Sequence, residues 1–306
     1  WPTIRRKRCR PLVQHSNYLR RIMRSNNKPI NFRLNSDSPL AYGLALWLPL
    51  SDGQLVDRVR GVVFVPSSTV PPMQPTLLGT AARKFTNASS TYLASAITPI
   101  TAAPLTITCW FAPTVSSSTR DLVGIYNSSN TTDFFQIQSA GSASDTIRAR
   151  TGDSGGASNG QSATGSVDNL WSFGSARFGA TNNRVGQCDL GGTGTSTGSR
   201  TPTGLDRVVI GAQGSSSFSA YFDGWISDVC IWERSLTDAE IFKLYDPITR
   251  WDLYEPIKLQ WFVGGALGGP TLYVEEQDGA LGLAGGLAKR TAKVWAGAVA
   301  PTGTDA

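Results

Sequence analysis

The segment Tyr221–Tyr245, YFDGWISDVCIWERSLTDAEIFKLY, is the most regularly patterned part of the 306-residue chain. In its middle, Val229 and Ile231 alternate with Cys230 and Trp232. Successive side chains of a β-strand point to opposite faces, so this alternation predicts a strand with one aliphatic face against a core. We interpret the segment as an indicator of fold, because its residues are those of elements that close a core.

A short helix is predicted directly after this strand. Thr237 and Glu240 have the spacing of a capping box, in which each side chain bonds to the backbone N–H of the other residue. Leu236 and Ile241 flank the box at the positions of a hydrophobic staple. Pro247 then predicts the end of the helix after about two turns.

The stretch GLALWLPLSDGQLVDRVRG, residues 43–61, predicts an early strand. Its leucines at 44, 46, 48 and 50 predict a single apolar face, and Ser51-Asp52-Gly53 predicts a turn. Further strands are predicted at Ala82–Phe85, Tyr92–Leu93, Leu105–Phe111, Leu122–Tyr126, Phe134–Gln138, Thr146–Arg150, Trp171–Phe178, Arg184–Cys188 and Arg207–Gly211. The Gly/Ser/Thr-rich stretches 151–166 and 191–204 are predicted to be long hairpin loops. About a dozen short strands at this spacing favour an all-β sandwich.

The positive charge is concentrated at the N-terminus. Residues 1–33 contain ten Lys and Arg and no Asp or Glu, and the whole chain has a net charge of +6, so the remaining residues carry about −4. We assign residues 1–38 to a basic N-terminal arm. Such an arm could dock onto a neighbouring protein, remain disordered or bind nucleic acid. Its interleaved apolar residues favour docking, and nucleic acid is the least favoured partner.

Several functions are disfavoured by the sequence. No run of 18 apolar residues is present, so no membrane-spanning helix is predicted and no membrane partner. No apolar signal-peptide segment is visible, and the chain begins without Met, which indicates processing or an incomplete start. His15 is the single histidine and lies in the arm, so the body contains no Ser–His or Cys–His nucleophile. We therefore predict no catalytic, cofactor-binding or metal site, and no enzyme.

The early and late segments together resemble the laminin-G-like, concanavalin-A-like jelly-roll superfamily. In that family the late strand and helix read G-x-I-D-E-V-x-I-(aromatic)-x-R-x-L-(S/T)-x-x-E-I. The matching positions here are Gly224, Ile226, Val229, Ile231, Trp232, Arg234, Leu236, Thr237, Glu240 and Ile241. The resemblance implies a β-sandwich in which the last strand pairs beside the first, so that the late segment closes the fold.

The resemblance also implies that calcium or sugars could bind at the rim, as they do in many relatives. Asp57 stands where the family often has an early Asp, and Asp223 is nearby in the late motif. Ser227 occupies a position usually held by Asp, which removes one of the oxygen ligands that calcium requires. Calcium is therefore kept only as an alternative, and no cofactor is predicted.

If the sandwich binds a host glycan, we expect loop residues to make the contacts, since binding residues are frequent on loops. The candidates are the aromatic and polar residues Tyr126, Asn127, Asn130 and Asp133.

A second resemblance lies at the two ends of the sandwich. SPLAYGLALWLPLSDG, residues 38–53, resembles the opening of jelly-roll proteins encoded by tailed bacteriophages. GALGLAGGLA (279–288) and GAVAPTGTDA (297–306) align at an 18-residue period and resemble fibrous extensions of the same phage proteins. Each repeat needs a neighbour to bury its apolar face.

These resemblances imply a non-enzymatic virion structural protein of a tailed phage, used as a capsid decoration, collar or fibre component of the extracellular particle. The alternative is a secreted lectin-like carbohydrate-binding module. We predict three regions: the basic arm (1–38), a laminin-G-like sandwich (39–256) and a β-rich extension with Gly/Ala-rich repeats (257–306). We also expect a homo-oligomer, with a trimer favoured, held by the extension, and an arm that attaches it to other virion proteins.

Overall fold

Two antiparallel β-sheets dominate the computed structural model of the chain, which describes residues 32–51, 53–75, 81–114, 118–141, 146–256, 261–263 and 272–274. This architecture is the predicted all-β sandwich of the concanavalin-A-like type. Among the described residues, no helix is long and apolar enough to cross a membrane.

The first sheet has seven strands. In chain order they are β3 (Phe64–Pro66), β6 (Leu93–Ser95), β8 (Thr119–Tyr126), β9 (Phe134–Ala140), β10 (Thr146–Asp153), β11 (Gly156–Gly165) and β15 (Arg207–Ile210). Their order across the sheet is β11-β10-β9-β8-β15-β6-β3. The sheet therefore places four chain-consecutive strands, β8 to β11, side by side.

The second sheet has eight strands. They are β2 (Leu44–Leu48), β4 (Met73–Pro75), β5 (Ala81–Phe85), β7 (Leu105–Pro113), β12 (Ser172–Ala180), β13 (Asn183–Cys188), β14 (Gly194–Ser196) and β18 (Gly224–Trp232). The order is β14-β13-β12-β7-β18-β5-β4, and β2 also pairs with β18.

Smaller elements complete the chain. They are strand β1 (Phe32–Leu34), a 3-10 helix (Pro39–Ala41), the hairpin of β16 (Gln213–Gly214) and β17 (Phe218–Ser219), helix α1 (Asp238–Tyr245) and strand β19 (Tyr254–Pro256). The 3-10 helix is capped by Ser38, whose hydroxyl accepts from the N–H of Leu40 at 3.2 Å.

The core lies between the two sheets. Alternate residues of the strands point into it, and Leu46, Ile107 and Phe111 of the eight-stranded sheet form one cluster with Val123 and Ile137 of the seven-stranded sheet. All five side chains are fully buried. Burial of this apolar surface is the main stabilising contribution to the sandwich.

Strand β18 lies in the middle of its sheet and pairs with three strands. β7 runs along one side, while on the other side β5 pairs with residues 224–226 and β2 with residues 229–232. The register shifts between Ser227 and Cys230, where Asp228 has a φ of 50°. The resemblance predicted that the late strand pairs beside the first strand of the sandwich, and this is confirmed.

Helix α1 has the predicted caps. The N–H of Glu240 donates to Thr237 Oγ1 at 3.3 Å, and the N–H of Thr237 donates to the Glu240 carboxylate at 2.9 Å. Leu236 and Ile241 are buried. The Arg234 guanidinium donates to both Glu240 oxygens at 2.7 and 3.0 Å and is the main reason that the pKa of Glu240 falls to about 2.

The prediction of a loop over residues 151–166 is wrong, because β10 continues to Asp153 and β11 fills most of the stretch. A Cβ added to Gly160 would lie 2.5 Å from the carbonyl oxygen of Arg184 and 2.7 Å from that of Gly194. Small residues therefore allow the edges of the two sheets to meet backbone to backbone. This packing overrides their low intrinsic β-propensity. The second predicted loop, 191–204, contains the short strand β14.

Strand β2 also differs from its prediction. The alternating leucines predicted one apolar face, but all five residues of β2 are buried. The outward-pointing Trp47 is covered by Tyr254, with the ring centroids 4.6 Å apart in an edge-to-face arrangement. Residues that follow helix α1 thus add a layer outside the eight-stranded sheet.

The described residues divide into two compact units, those within 34–255 in one and residues 32–33, 256, 261–263 and 272–274 in the other. In the second unit, β20 (Trp261–Val263) and β21 (Leu272–Val274) pair antiparallel. The predicted arm up to residue 31 and the repeats at 279–288 and 297–306 lie outside the described residues. The three predicted domain boundaries stay predictions.

Replacement of Trp232 by Phe is expected to destabilise the sandwich. The indole N–H of this fully buried residue donates to the carbonyl oxygen of Leu40 at 2.7 Å, across 192 residues of chain. Phe would leave that buried oxygen without a donor, so we expect the free energy of unfolding to fall by about 1–3 kcal/mol. Urea denaturation measures the change.

The matched control is Trp225→Phe in the same strand. Its indole donates to Gln74 at 2.9 Å, but the residue is half-buried, so water can replace the lost partner. We expect the free energy of unfolding to fall by less than about 1 kcal/mol. Equal losses in the two variants would contradict the anchoring role of Trp232.

Candidate functional site

The outer face of the seven-stranded sheet carries two rows of polar side chains. Val123, Ile137 and Ala149 of β8, β9 and β10 point into the core, so the residues next to them point outward. The strand registers align Asp121, Gln138, Arg148 and Gln161 in one row, and Gly124, Gln136, Arg150 and Asn159 in the next. We call these residues the polar rows.

The polar rows become more exposed from β8 to β11. Asp121, Gln136 and Gln138 are buried, Arg148 and Arg150 are half-buried, and Asn159 and Gln161 are exposed. The Arg148 side chain donates through Nε to Gln161 Oε1 at 3.0 Å. The rows therefore form a polar surface that is buried at one end and open to solvent at the other.

Asp121 is the centre of a hydrogen-bond network at the buried end. Its carboxylate accepts from Gln138 Nε2 at 2.6 Å, Gln136 Nε2 at 3.2 Å and the Tyr126 hydroxyl at 3.2 Å. Burial raises the pKa of Asp121 to about 6, although the hydrogen bonds from Gln138 and Tyr126 and the charge of Arg150 act in the opposite direction. Gln136 Oε1 is buried and has no hydrogen-bond partner among the described residues.

The β16–β17 hairpin bounds the buried end of the polar rows. Just after the hairpin, the carbonyl oxygen of Ala220 accepts from the backbone N–H of Asp121 at 3.0 Å. Phe218 of the hairpin stacks on Tyr92 with a centroid distance of 3.9 Å, and Arg207 lies over the Phe218 ring. One side of the outer face is therefore closed by aromatic residues, and the β10–β11 side stays open.

The four sequence-predicted glycan contacts occupy two different environments. Tyr126 is fully buried against Phe134, so its ring lies below the surface. Asn127, Asn130 and Asp133 lie together in the loop between β8 and β9. Their role in ligand binding stays a prediction.

Hydrogen bonds within the β8–β9 loop use most of its polar atoms. Asn130 Nδ2 donates to Asp133 Oδ2 at 2.7 Å, and Asp133 Oδ1 accepts from the N–H of Thr203 at 2.7 Å. Asn127 Nδ2 donates to the Thr203 carbonyl at 3.0 Å. These contacts fix the loop against Thr203.

Asp57 and Ser227, which the family resemblance relates to calcium binding, make structural hydrogen bonds. The Asp57 carboxylate accepts from three backbone N–H groups, those of Trp47, Val59 and Arg60, at 2.7–3.1 Å. Ser227 donates to Asp228 Oδ2 at 2.8 Å. Among the described residues, no three His, Cys, Asp or Glu side chains form a metal-binding group.

An aromatic pocket lies on the other sheet, beneath the residues that follow α1. Trp110, Trp251 and Tyr254 line it, and the Arg250 guanidinium lies over both tryptophan rings, 5.4 and 4.4 Å from their centroids. Asp228 at its base accepts from the Tyr254 hydroxyl. The free volume is about 20 Å³, room for roughly one water molecule, so the pocket does not admit a sugar ring.

A family model described as the concanavalin A-like lectin/glucanases superfamily matches residues 86–242, just over half of the chain. The match includes β8 to β11 and therefore the polar rows. No curated protein matches the chain.

Solved structures with the same fold include carbohydrate- and receptor-binding domains. Domain 4 of AbnA, a GH43 extracellular arabinanase from Geobacillus stearothermophilus, in complex with arabinotriose, has a TM-score of 0.54 and 12% identity over 66% of this chain and 98% of that one. The binding domain of Paraclostridial Mosquitocidal Protein 1 has a TM-score of 0.53 and 11% identity over 67% and 52%. Botulinum neurotoxin type C, which interacts with two ganglioside molecules, has a TM-score of 0.51 and 13% identity over 67% of this chain and 51% of that one. This chain spans about half the length of the two toxin structures.

Substitution of Asp121 by Asn is expected to change how stability depends on pH. The folded protein binds the Asp121 proton more tightly than the unfolded chain, whose carboxyl has a pKa near 3.8. The stabilising effect of that proton is fully present below pH 3.8 and is lost as the pH rises through 6. Relative to the variant, the free energy of unfolding of the wild type should fall by roughly 2–3 kcal/mol between pH 4 and pH 7, as measured by urea denaturation.

The control for this experiment is Asp153→Asn. Hydrogen bonds from the N–H of Thr201 are the main reason that the pKa of Asp153 is lowered, so this carboxyl stays ionised above pH 4. Its stability difference from the wild type should stay flat over the same range. A flat difference for Asp121→Asn as well would refute the raised pKa.

Proposed function

The chain belongs to the concanavalin A-like lectin/glucanases superfamily, and on that premise we propose that it is a non-enzymatic carbohydrate-binding protein. The observation that carries the proposal is the set of polar rows on β8 to β11. Sugar hydroxyls both donate and accept hydrogen bonds, and amide side chains offer one group of each kind. Asn159 and Gln161 supply two exposed amides on this face, next to the half-buried Arg148 and Arg150.

The arrangement of the polar rows suits a ligand that lies across the strands. The polar residues of β8 and β9 are buried, so the ligand contacts the rows on β10 and β11, two strands about 4.8 Å apart. The exposed amides of Asn159 and Gln161 meet the ligand at the open end, and the half-buried Arg148 and Arg150 lie beside them in the same rows.

A binding role agrees with the available side chains better than catalysis does. Glycosidases need two carboxyl groups that face each other across the scissile bond. Asp121 is the one carboxyl group in the polar rows, and its three donors are the neutral groups of Tyr126, Gln136 and Gln138. The arabinanase domain with bound arabinotriose provides a parallel for a binding domain of this fold.

A glycan array tests the proposal directly. We expect the wild-type chain to bind a defined group of oligosaccharides, and the double substitution of Asn159 and Gln161 by Ala to lower the affinity at least about fivefold, since two hydrogen-bonding side chains are lost. Isothermal titration calorimetry measures the affinity for the best array ligand.

Asn182→Ala is the matched control, because this exposed amide lies in the turn between β12 and β13 of the other sheet. It should bind as the wild type does. If no glycan on the array binds the chain, the carbohydrate-binding proposal is refuted. If the wild type, the double variant and Asn182→Ala bind the ligand with equal affinity, its location on the polar rows is refuted.

We further propose that the chain is a virion structural protein of a tailed phage, as a capsid decoration, collar or fibre component that presents the sandwich on the particle surface. Two sequence features support this proposal. Residues 38–53 resemble the opening of phage-encoded jelly-roll proteins, and residues 279–288 and 297–306 repeat with an 18-residue period. The basic arm would attach the protein to other virion proteins, and the extension would join copies of the chain. Host-surface glycans are the ligands that such a location offers.

Two measurements test the virion role. The full chain should sediment as an oligomer, with a trimer expected, at micromolar concentration, and deletion of residues 257–306 should yield monomers. Antibodies against the sandwich should label phage particles, and deletion of residues 1–38 should abolish the labelling. A monomeric full chain would disprove the oligomer, and normal labelling without the arm would disprove its docking role.

A further inference from the structure

Two arginines dominate the charge of the polar rows. Arg148 and Arg150 lie two residues apart on β10 and on the same face, so their Cα atoms are about 7 Å apart. Arg148 donates to the neutral amide of Gln161. The Arg150 guanidinium lies 4.8 Å from the centroid of the Phe134 ring, and no hydrogen bond or ion pair joins it to another described residue.

Among the residues that the structure describes, few negative groups offset these charges. Asp121 is buried and is the acid that interacts electrostatically with Arg150. Asp153, at the end of β10, accepts from the N–H groups of Gly155 and Thr201 and lies 3.7 Å from Arg200. The hairpin segment 212–220 contains no charged residue. The outward-facing guanidinium groups therefore keep donors for an external anion.

From this arrangement we propose that the glycan bound by the polar rows is anionic, and that a carboxylate or sulfate on the sugar pairs with Arg148 and Arg150. The inference rests on the proposed carbohydrate-binding function and specifies its ligand class. A guanidinium presents donors in a planar fork that matches an oxyanion. The aromatic contact with Phe134 holds Arg150 in place, so less conformational freedom is lost when the anion binds.

The site should bind an anion more tightly at mildly acidic pH. Asp121 attracts Arg150 when it is ionised, and its pKa of about 6 means that it becomes neutral as the pH falls from 7 to 5. Other charged groups on the strands around it are the guanidinium groups of Arg148 and Arg150 on β10 and of Arg207 on β15. Burial raises the pKa of Tyr126 well above 10, so its hydroxyl stays neutral. Uronic acid carboxyls titrate below this range and keep their charge.

The test compares matched neutral and acidic glycans on the full chain. The pairs are lactose and sialyllactose, carboxyl-reduced and native homogalacturonan fragments, and desulfated and sulfated galactan fragments. We expect the acidic member of at least one pair to bind about tenfold more tightly at pH 7 in low salt, and its advantage to grow at pH 5 and shrink in 0.5 M NaCl. The carboxylate and sulfate pairs distinguish the two sources of the anion.

Two variants locate the effect. Arg150→Gln should lower the ratio of acidic to neutral affinity to near one. Lys84→Gln removes a positive charge from β5 on the other sheet and should bind as the wild type does. Circular dichroism confirms that both variants fold.

Each outcome has a separate meaning. Equal affinities for the neutral and acidic members would overturn the anionic ligand and leave the carbohydrate-binding proposal intact. A preserved acidic preference in Arg150→Gln would overturn the assignment to this arginine pair. Absence of binding to all six glycans and to the full array would reject the proposed function itself.

Discussion

The sandwich depends on the pairing of β18 with strands from the beginning of the domain. This strand has β7 on one side, and on the other it changes partner from β5 to β2 at the bulge around Asp228. Its last residue, Trp232, also bonds to Leu40. Because these contacts span most of the chain, the core can close only after the late segment arrives, as expected for a topology rich in long-range contacts. The outer layer over Trp47 follows from the same closure, since the chain continues from β18 through α1 and across that face.

Local patterns made β18 and α1 predictable from the sequence. The alternation around Val229 and Ile231 needs only the period of a strand, and the Thr237–Glu240 box needs only the spacing of a helix start. Strand β11 was missed for the opposite reason. Its Gly, Ser and Asn residues have low β-propensity, and the contact that stabilises them comes from the backbones of β13 and β14, which are distant in sequence.

The polar rows could not be predicted from the sequence, because strand register defines them. Asp121, Gln138 and Arg148 belong to three strands and share no spacing along the chain, yet the registers place them side by side. Phe218, from a hairpin distant in sequence, likewise packs against the cluster that buries Tyr126. The loop with Asn127 and Asn130, for which the sequence predicted glycan contacts, adjoins the strands that carry the rows.

The backbone contact at Gly160 has a consequence for protein engineering. Tracts rich in Gly, Ser and Asn are usually chosen as insertion points for tags or reporter domains, since most such tracts are exposed loops. Here the tract is a seam between two sheets, and a Cβ at position 160 would already collide with the carbonyls of Arg184 and Gly194. Sequence filters that mask low-complexity stretches would discard one of the least substitutable parts of the domain. The turn at Asn182, which is exposed, is the better place for an insertion.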